Sequence, residues 1–314
     1  MEAQAVVIAA AHQFDVRSVT LQPAGADDVT IETMYTSISA GTERMLLAGR
    51  MPHPMLQFPV IPGYETVGRI VATGANVPAT LLGEVVYVGG ARCYVAVNAA
   101  WGGQASHLHV DYRRVIPVTG MHADEGVLLA LAATALHGVD IAGDIAGKRV
   151  LILGQGPVGQ LAARHARLAG AEVIVSDRSP QRLALSSADA CYQAGDQTLA
   201  QQGVVDCDVI IEASGSMTAL SAAVASLANN GRIVLLGYYD ELQLPYMPLF
   251  LKQAQLLTAK EWASGDLQRC RDLIVQGRLD VAPLLTHRMH ITDVVHAYDI
   301  ALNDQACLKL VLAW

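Results

Sequence analysis

The stretch that decides the fold runs from Arg149 to Asp177 and reads RVLILGQGPVGQLAARHARLAGAEVIVSD. Its first apolar run is typical of a strand buried on both faces, and the Ala-, Leu- and Arg-rich segment that follows is typical of a helix. The segments predicted in order are a strand, a glycine turn, a helix, a second strand and an acid: residues 150–153, 154–159, 160–168, 173–175 and Asp177.

Each part of this turn has a chemical reason in a dinucleotide-binding unit. Gly154 allows a tight turn, Gly156 lets the backbone approach a pyrophosphate, and Gly159 lets the helix pack close to the strand. Pro157 and Val158 lie at the predicted helix N-terminus, where unpaired N–H groups and a partial positive charge favour phosphates. The alternative is a glycine turn in an ordinary α/β unit, but strand, helix and acid together favour dinucleotide binding.

The acid at the end of the second strand bears on the choice of cofactor. Asp177 lies about 20 residues beyond the first glycine, where a carboxylate accepts hydrogen bonds from both ribose hydroxyls. It would repel a 2′-phosphate, so the sequence favours NAD over NADP. Arg178 weakens this preference, because a guanidinium there could pair with that phosphate.

Composition narrows the class of protein further. The 314 residues are 52% hydrophobic and 16% charged, which is typical of a compact globular protein with room for two domains. A net charge of −8 argues against nucleic acid as a partner. Five scattered cysteines without a CxxC pair indicate a reducing compartment, and no apolar stretch is long enough for a membrane span. No signal-peptide pattern is recognised at the N-terminus, so we expect a cytoplasmic protein.

The order of predicted elements indicates two domains. Residues 1–118 contain short strands between turns, which favours a small β-rich barrel. From Asp124 a buried helix begins, and strands and helices then alternate as in a doubly wound parallel sheet. The predicted fold is α/β, with a Rossmann domain at 119–283 and a β-rich domain formed by 1–118 and 284–314. We expect the last strand, near 308–312, to return to the first domain.

This arrangement, together with the string PGYETVG at residues 62–68, resembles the medium-chain dehydrogenase/reductase superfamily with its GroES-like barrel. The zinc enzymes of that superfamily carry GHE at this point and take further ligands from two other segments. The three ligand positions fall here on Ala40, Tyr64 and Ala130. Alanine cannot bind a metal and neutral tyrosine rarely does, so the resemblance implies a member without catalytic zinc.

More specific strings are similar to the bacteriochlorophyllide a dehydrogenases. They include GTER at 41–44, GRMP at 49–52, GARC at 90–93, THR at 286–288 and ACLKLVLAW at 306–314. This resemblance implies oxidation of the 3-(1-hydroxyethyl) group of a chlorin to 3-acetyl with NAD. The regular glycine turn leaves room for a related dehydrogenase with another substrate.

Without zinc, side chains must handle the hydroxyl proton. Thr42 matches the proton-relay hydroxyl of the superfamily, and we expect Thr42 and Tyr64 to hold the substrate hydroxyl while Glu65 takes or relays the proton. The equally supported alternative is that Glu65 is a buried carboxylate bonded to an arginine such as Arg44. Thr134 matches a family residue near the nicotinamide, and His137 is a second-rank candidate.

The resemblance also implies further cofactor and substrate residues. Ser214 and Gly237 follow sheet strands in loops that line the dinucleotide, and Lys309 matches a basic position that reaches the pyrophosphate, with a surface lysine as the alternative. For a flat chlorin with a propionate, the candidates are arginines and apolar or aromatic side chains: Arg44, Arg50, Arg92, Met51, Met55, Phe58 and Tyr238.

Three other functions remain open on the sequence alone. They are a zinc-free quinone or enoyl reductase, another secondary-alcohol dehydrogenase, and a non-catalytic NAD(H)-binding sensor. Asp177 argues against the reductases because these usually prefer NADPH. The partners expected are a small molecule, a hydroxyethyl-chlorin, and a second copy of the chain in a homodimer.

Overall fold

The computed structural model describes residues 1–51 and 56–314, which divide into two compact units. The first contains Met1–Ala130 and Leu285–Trp314, and the second contains Leu131–Leu284. The first unit extends beyond the predicted boundary at 118/119, because a 3₁₀ turn at Ala123–Leu128 packs on its strands. Gly126 lies so close to Val67 that a Cβ would come within 2.8 Å of that side chain.

The N-terminal part of the first unit is built from short strands, as the sequence indicates. Its single described α-helix, α1, covers Ala40–Leu47. The strands are β1 (Glu2–Ala10), β2 (Gln13–Thr20), β3 (Asp28–Ser37), β4 (Val60–Ile61), β5 (Thr66–Thr73), β6 (Val85–Val88), β7 (Asn98–Ala99), β8 (His107–Asp111) and β9 (Val115–Pro117).

The second unit alternates strands and helices around a parallel sheet. Its helices are α2 (Leu129–Ile141, which begins in the first unit), α3 (Pro157–Leu168), α4 (Pro180–Ala184), α5 (Met217–Ala223), α6 (Tyr246–Leu251) and α7 (Asp266–Val275). Its strands are β10 (Arg149–Leu153), β11 (Glu172–Asp177), β12 (Ala190–Gln193), β13 (Cys207–Glu212), β14 (Leu227–Leu235) and β15 (Gln255–Thr258).

The chain then returns to the first unit through β16 (His287–His290), α8 (Val294–Asn303) and β17 (Leu310–Ala313). Strand β17 pairs antiparallel with β3 and parallel with β16, so it lies inside a sheet and not at its edge. In the described ranges this unit has a seven-stranded sheet, ordered β16-β17-β3-β5-β6-β9 with β8 on β3, and a four-stranded sheet, ordered β2-β1-β4-β7. Most of these pairings are antiparallel.

The sheet of the second unit confirms the predicted α/β class. Its six parallel strands are ordered β12-β11-β10-β13-β14-β15, so the order reverses between β10 and β13. Ligands of doubly wound sheets bind at this point, beyond the carboxyl ends of the strands. The residues 150–153 of β10 are at most 2% exposed, which explains the unbroken apolar run.

Helix α5 and strand β14 are joined by a short turn. Helix α5 ends at Ala223, because the chain makes a 3₁₀ turn and then enters β14 at Leu227. Strand β14 continues through Asn230 and Gly231, which usually indicate a turn, because a register shift in its pairing with β13 absorbs them. In the described parts of the chain, no helix has the length and apolar character needed to cross a bilayer.

Candidate active site

The glycine turn after β10 is closed by contacts that only glycine permits. Gly154 has a φ of +85°, and a Cβ there would lie 2.7 Å from the Cα of Ser214. A Cβ on Gly159 would lie 1.9 Å from the carbonyl oxygen of Gly154. The predicted residues Gly154, Gly159 and Ser214 are therefore brought together. Both of these glycines are required by the packing of the protein itself.

Gly156 is different, because nothing in the protein requires a glycine there. Its φ is −66°, and a Cβ would meet no atom within 4 Å. It is the N-cap of α3 without a side-chain cap, Pro157 follows, and helical hydrogen bonding begins when Gln160 N–H donates to the Gly156 carbonyl. The N–H groups of Val158 and Gly159 thus point out of the first turn over open space. This cradle fits a pyrophosphate.

Asp177 ties the second strand to the same turn. Its Oδ2 accepts a hydrogen bond of 2.6 Å from Gln155 N–H, and its Oδ1 accepts one of 2.8 Å from Ser179 N–H. Each carboxylate oxygen keeps a second lone pair that a ribose hydroxyl could use. The neighbouring Arg178 is exposed. The geometry thus fits a dinucleotide whose ribose carries free hydroxyls.

A second buried acid, Glu212, organises the loop after β13. It accepts hydrogen bonds from Ser214 N–H at 2.7 Å and Gly215 N–H at 3.2 Å. Burial raises the pKa of Glu212, although these donors work against the shift. A Cβ on Gly237 would lie 2.4 Å from its Oε2, so the predicted residues Ser214 and Gly237 both contact this acid. The sequence analysis did not name Glu212. Its position, as an acid at the end of a buried strand and directly before Ala-Ser-Gly, could have indicated it.

Two candidates on α2 have separate surroundings. Thr134 is half-buried on the helix. His137 lies with Nδ1 4.0 Å from Oδ2 of Asp266, which is itself buried at the start of α7. This partner gives His137 a structural explanation.

The residues at the three zinc-ligand positions do not fit a metal. Ala40 is the first residue of α1, Ala130 is fully buried in α2, and Tyr64 is half-buried in the loop before β5. Within residues 1–51 and 56–314, no group of three His, Cys, Asp or Glu side chains could hold a metal ion. Neither alanine has a donor atom, so the donor set required for a catalytic zinc is not present at these positions.

Three hydroxyl groups meet where the zinc enzymes have their ligand segments. Tyr64 Oη lies 2.5 Å from Ser39 Oγ and 3.4 Å from Thr42 Oγ1. Desolvation, followed by the nearby charge of Glu65, raises the pKa of Tyr64 above its ordinary value, so the phenol stays protonated. This hydroxyl cluster of Ser39, Thr42 and Tyr64 can donate to and accept from an alcohol. Ser39 was missed because a lone serine before a helix reads as a cap.

Glu65 is a buried carboxylate, but its partner is not Arg44. Its Oε2 accepts hydrogen bonds from Lys309 Nζ and Ser37 Oγ, and the side chains of Glu65 and Lys309 are each 1% exposed. Arg44 is exposed and instead donates to the Leu302 carbonyl, so the alternative pairing was wrong. Lys309 is likewise not a surface lysine. Glu65 Oε1 has no hydrogen-bond partner in the described structure.

A second buried network lies behind the hydroxyl cluster. Glu43 is 2% exposed. It accepts hydrogen bonds from Ser39 N–H at 3.1 Å and from Gln104 Nε2, and its Oε2 lies against Tyr298 Oη. Burial raises the pKa of Glu43 to about 7, against the lowering effect of the Tyr298 and Ser39 hydrogen bonds. Gly63, with a φ of +95°, leaves the room that the Gln104 side chain occupies. The sequence analysis named none of Glu43, Gln104 and Tyr298 as functional.

The proposed substrate residues are distributed over both units. Arg44, Arg50 and Arg92 are exposed on the first unit, and Tyr238 is 56% exposed on the second. Met51 is buried in an apolar core of the first unit, and the partly buried Phe58 packs against that core. Met55 lies outside the described residues.

Comparison with known proteins places this geometry in a family. Residues 25–120 match the alcohol dehydrogenase GroES-like domain, and residues 157–275 match the zinc-binding dehydrogenase domain. The 2-desacetyl-2-hydroxyethyl bacteriochlorophyllide A dehydrogenase of Cereibacter sphaeroides is 31% identical over 323 residues, covering 100% of this chain and 99% of that protein. The protein of the same name from Rhodobacter capsulatus is 32% identical over 318 residues, with the same coverage.

A solved structure supports the fold. A short chain alcohol dehydrogenase from Escherichia coli CFT073, complexed with NADH, superimposes with a TM-score of 0.88 at 21% identity, covering 100% of this chain and 99% of that one. The protein is an oxidoreductase acting on CH–OH groups. The resemblance inferred from the sequence is confirmed: the chain belongs to the medium-chain dehydrogenase/reductase superfamily, in the family of the two bacteriochlorophyllide A dehydrogenases that it matches over its full length.

Proposed function

We propose that this protein oxidises the 3-(1-hydroxyethyl) group of a bacteriochlorophyllide to a 3-acetyl group with NAD and without a catalytic zinc. The observation that carries the zinc-free chemistry is the hydroxyl cluster of Ser39, Thr42 and Tyr64, with Tyr64 Oη 2.5 Å from Ser39 Oγ. The substrate is suggested by the names of the two full-length relatives. Asp177, whose carboxylate would repel a 2′-phosphate, supports NAD.

In this proposal the hydroxyl cluster binds and orients the alcohol. NAD supplies the hydride acceptor when bound. Tyr64 accepts the alcohol proton at Oη while its own proton passes to Ser39 or Thr42. That hydroxyl gives up its own proton in turn, with Glu65 as the final acceptor, so no hydroxyl gains a net charge. The alcohol oxygen keeps the electron pair of its O–H bond and forms the carbonyl as the hydride leaves its carbon.

We propose that Glu65 is the terminal proton acceptor. Lys309 and Ser37 occupy its Oε2, which leaves Oε1 as a buried acceptor without a donor. Lys309 forms a direct ion pair with the carboxylate, and the remaining oxygen, Oε1, is the one that we propose as the final proton acceptor. At 1% exposure Glu65 does not meet bulk water, and we propose that the proton reaches it through hydroxyl groups such as Ser37, which contacts its Oε2.

Removal of the Tyr64 hydroxyl should uncouple chemistry from binding. We expect Tyr64→Phe to lower kcat about 100-fold, because a positioned proton-transfer group contributes at least this much. NADH affinity, followed by quenching of protein fluorescence, should not change, because Tyr64 belongs to the first unit. Near-normal turnover in both Tyr64→Phe and Glu65→Gln, with NADH binding intact, would contradict the assignment.

The substrate itself is tested with the pigment. Purified protein, NAD and 3-hydroxyethyl bacteriochlorophyllide a should give a shift of the long-wavelength absorption band as the acetyl group forms. NADP should be used more slowly than NAD. No band shift, together with turnover of a simple secondary alcohol, would point to another alcohol dehydrogenase. Faster reaction with NADPH on quinones or enones would favour a reductase, and NADH binding without any turnover would favour a sensor.

The propionate of such a pigment needs a cation. Arg44 and Arg50, both exposed on the first unit, are the arginines that we propose for this contact, since a guanidinium binds a carboxylate through two parallel hydrogen bonds. The Arg44 guanidinium already donates to the Leu302 carbonyl, which fixes its position near the C-terminal end of α8.

We also propose that two copies associate through the edge of the parallel sheet. Among the described strands, β15 pairs with β14 alone, and its sequence, QLLT, carries no charge to discourage a further strand. Beside it in sequence, α6 exposes Tyr246 at 69%, Phe250 at 57% and Leu251 at 70%. Two such edges related by a twofold axis pair antiparallel and bring the same surface together from each copy.

Phe250→Asp should therefore shift the protein from dimer to monomer in sedimentation velocity, because the charge would be buried in the apolar contact. The matched control is Val295→Asp, which places the same charge on a side chain of α8 that is 62% exposed. The control should remain dimeric. A monomeric wild-type protein, or an unchanged Phe250→Asp variant, would refute this interface.

A further inference from the structure

The network of Glu43, Gln104 and Tyr298 contains more contacts than an ionised Glu43 can satisfy. Tyr298 Oη is within hydrogen-bond distance of two oxygens, Glu43 Oε2 and Gln104 Oε1, the second at 2.9 Å. Each oxygen–oxygen contact needs one proton between its atoms. The phenol supplies one, so the second contact has no proton if Glu43 is a carboxylate.

The simplest alternative is a flipped Gln104 amide that donates to Tyr298, and the other contacts of Gln104 exclude it. Its Nε2 donates to the Ser37 carbonyl at 3.3 Å and to Glu43 at 3.2 Å, and both of these partners accept. If the amide were turned over, its oxygen would face two acceptors while its nitrogen met only Tyr298. The Ser37 carbonyl therefore keeps Gln104 Oε1 directed at the phenol.

A protonated Glu43 satisfies every contact. Its carboxylic acid donates from Oε2 to Tyr298 Oη, and Tyr298 then donates to Gln104 Oε1. Oε1 of Glu43 still accepts from Ser39 N–H and Gln104 Nε2. Buried polar networks are stable when each member has its partner, and this arrangement leaves none unmatched.

The charges around Glu43 lead to the same protonation state. The charged groups near it are Glu65, in the loop before β5, and Lys309, which precedes β17; the tyrosines are Tyr298 of α8 and Tyr64. Lys309 is the single cation among them and is paired with Glu65. An ionised Glu43 would therefore be a second buried negative charge without a cation, which is unfavourable in a dry interior.

We propose that Glu43 is a neutral, proton-donating positioning residue that locks α8 to the start of α1 and so holds the hydroxyl cluster in place. Its link to the cluster is Ser39, whose N–H donates to Glu43 and whose hydroxyl contacts Tyr64. Ionisation of Glu43 breaks the donation to Tyr298 and sets two acceptors against each other. The catalytic part of this inference rests on the proposed function, but the protonation state does not.

Infrared difference spectroscopy tests the protonation state without substrate. Wild-type protein at pH 6 should show the carbonyl stretch of a protonated carboxylic acid, and the band should vanish as the pH rises through about 7. Glu43→Gln should lack this band, and Tyr298→Phe should shift it, because that variant removes the acceptor of the acid proton. A spectrum at pH 6 that is identical in wild type and Glu43→Gln would overturn the proposal.

Stability gives an independent readout with a definite sign. A carboxyl whose folded pKa is raised binds its proton more tightly when folded, so its contribution is complete at low pH and is lost as pH rises through the folded pKa. The melting temperature of wild type should fall relative to Glu43→Gln between about pH 4.5 and about pH 7. A constant difference across that window would contradict a neutral Glu43.

Turnover separates positioning from simple packing. Glu43→Gln keeps a neutral donor and an acceptor, so it should retain turnover and lose the alkaline decline in kcat that wild type shows near pH 7. Glu43→Leu should lower kcat at every pH. Identical pH profiles of kcat in wild type, Glu43→Gln and Glu43→Leu would refute the positioning role. Absence of pigment turnover in wild type would refute only the proposed function, and the infrared and melting experiments would still test the protonation state.

Discussion

Gly156→Val should abolish NAD(H) binding while leaving the fold intact. The φ of −66° at this position suits valine, and no protein atom lies within 4 Å of the Cβ position. The added methyl groups would occupy the space over the first turn of α3, where the unpaired N–H groups point. We expect the Kd for NADH to rise about 100-fold or more, since the phosphate would lose several charge-assisted hydrogen bonds.

The fold should tolerate this change, which makes the experiment specific. Replacing a glycine N-cap by an apolar residue costs about 1 kcal/mol, so the free energy of unfolding should fall by no more than that. Gly159→Val is the matched control, because a Cβ there would lie 1.9 Å from the Gly154 carbonyl oxygen and should destabilise the whole unit. NADH binding by a folded Gly156→Val protein at wild-type affinity would show that the cofactor binds elsewhere.

Lys309→Met should be the most destabilising single change in the first unit that leaves the core volume nearly unchanged. It would leave the Glu65 carboxylate 1% exposed and without a cation. Removing one partner of a buried ion pair costs about 3–5 kcal/mol. Urea unfolding should give a loss of this size, with kcat also reduced because Glu65 would no longer be held as an acceptor.

The double variant distinguishes charge pairing from packing. Lys309→Met with Glu65→Gln removes both charges, so it should recover a large part of the lost stability although it changes two residues. Lys148→Met is the surface control, because Lys148 and Asp208 are half-exposed and 3.8 Å apart. Its cost should stay below about 1 kcal/mol. Additive losses in the double variant would mean that the pair contributes no coupling.

The sequence predicted the nucleotide unit well because its information is local. Gly154, Gly159 and Asp177 lie within one strand–turn–helix–strand unit, and each has a role that only its residue type performs. The first unit was predicted less completely. The sequence named Thr42, Tyr64 and Glu65, but the partner of Glu65 lies 244 positions away, and Tyr298 lies 255 positions from Glu43.

Pairings of this kind depend on which strands meet, and no periodicity in the chain encodes them. Lys309 shows the difficulty. Its position in the sequence did not separate a residue that reaches the pyrophosphate from a surface lysine, and only the sheet order shows that β17 lies between β16 and β3. Short edge strands such as β12 and β15, of four residues each, were missed because they carry too few residues for a pattern.

The position of β17 has a consequence for the order in which the chain acquires its structure during synthesis. The second unit is continuous, and all its strands have left the ribosome once Leu284 has emerged. The large sheet of the first unit includes β16 and β17. The end of β3 that pairs with β17 therefore has no partner strand until residues 310–313 are translated. Nucleotide binding can thus be acquired before the hydroxyl cluster is complete, and a nascent chain stalled before Lys309 would hold Glu65 without its cation.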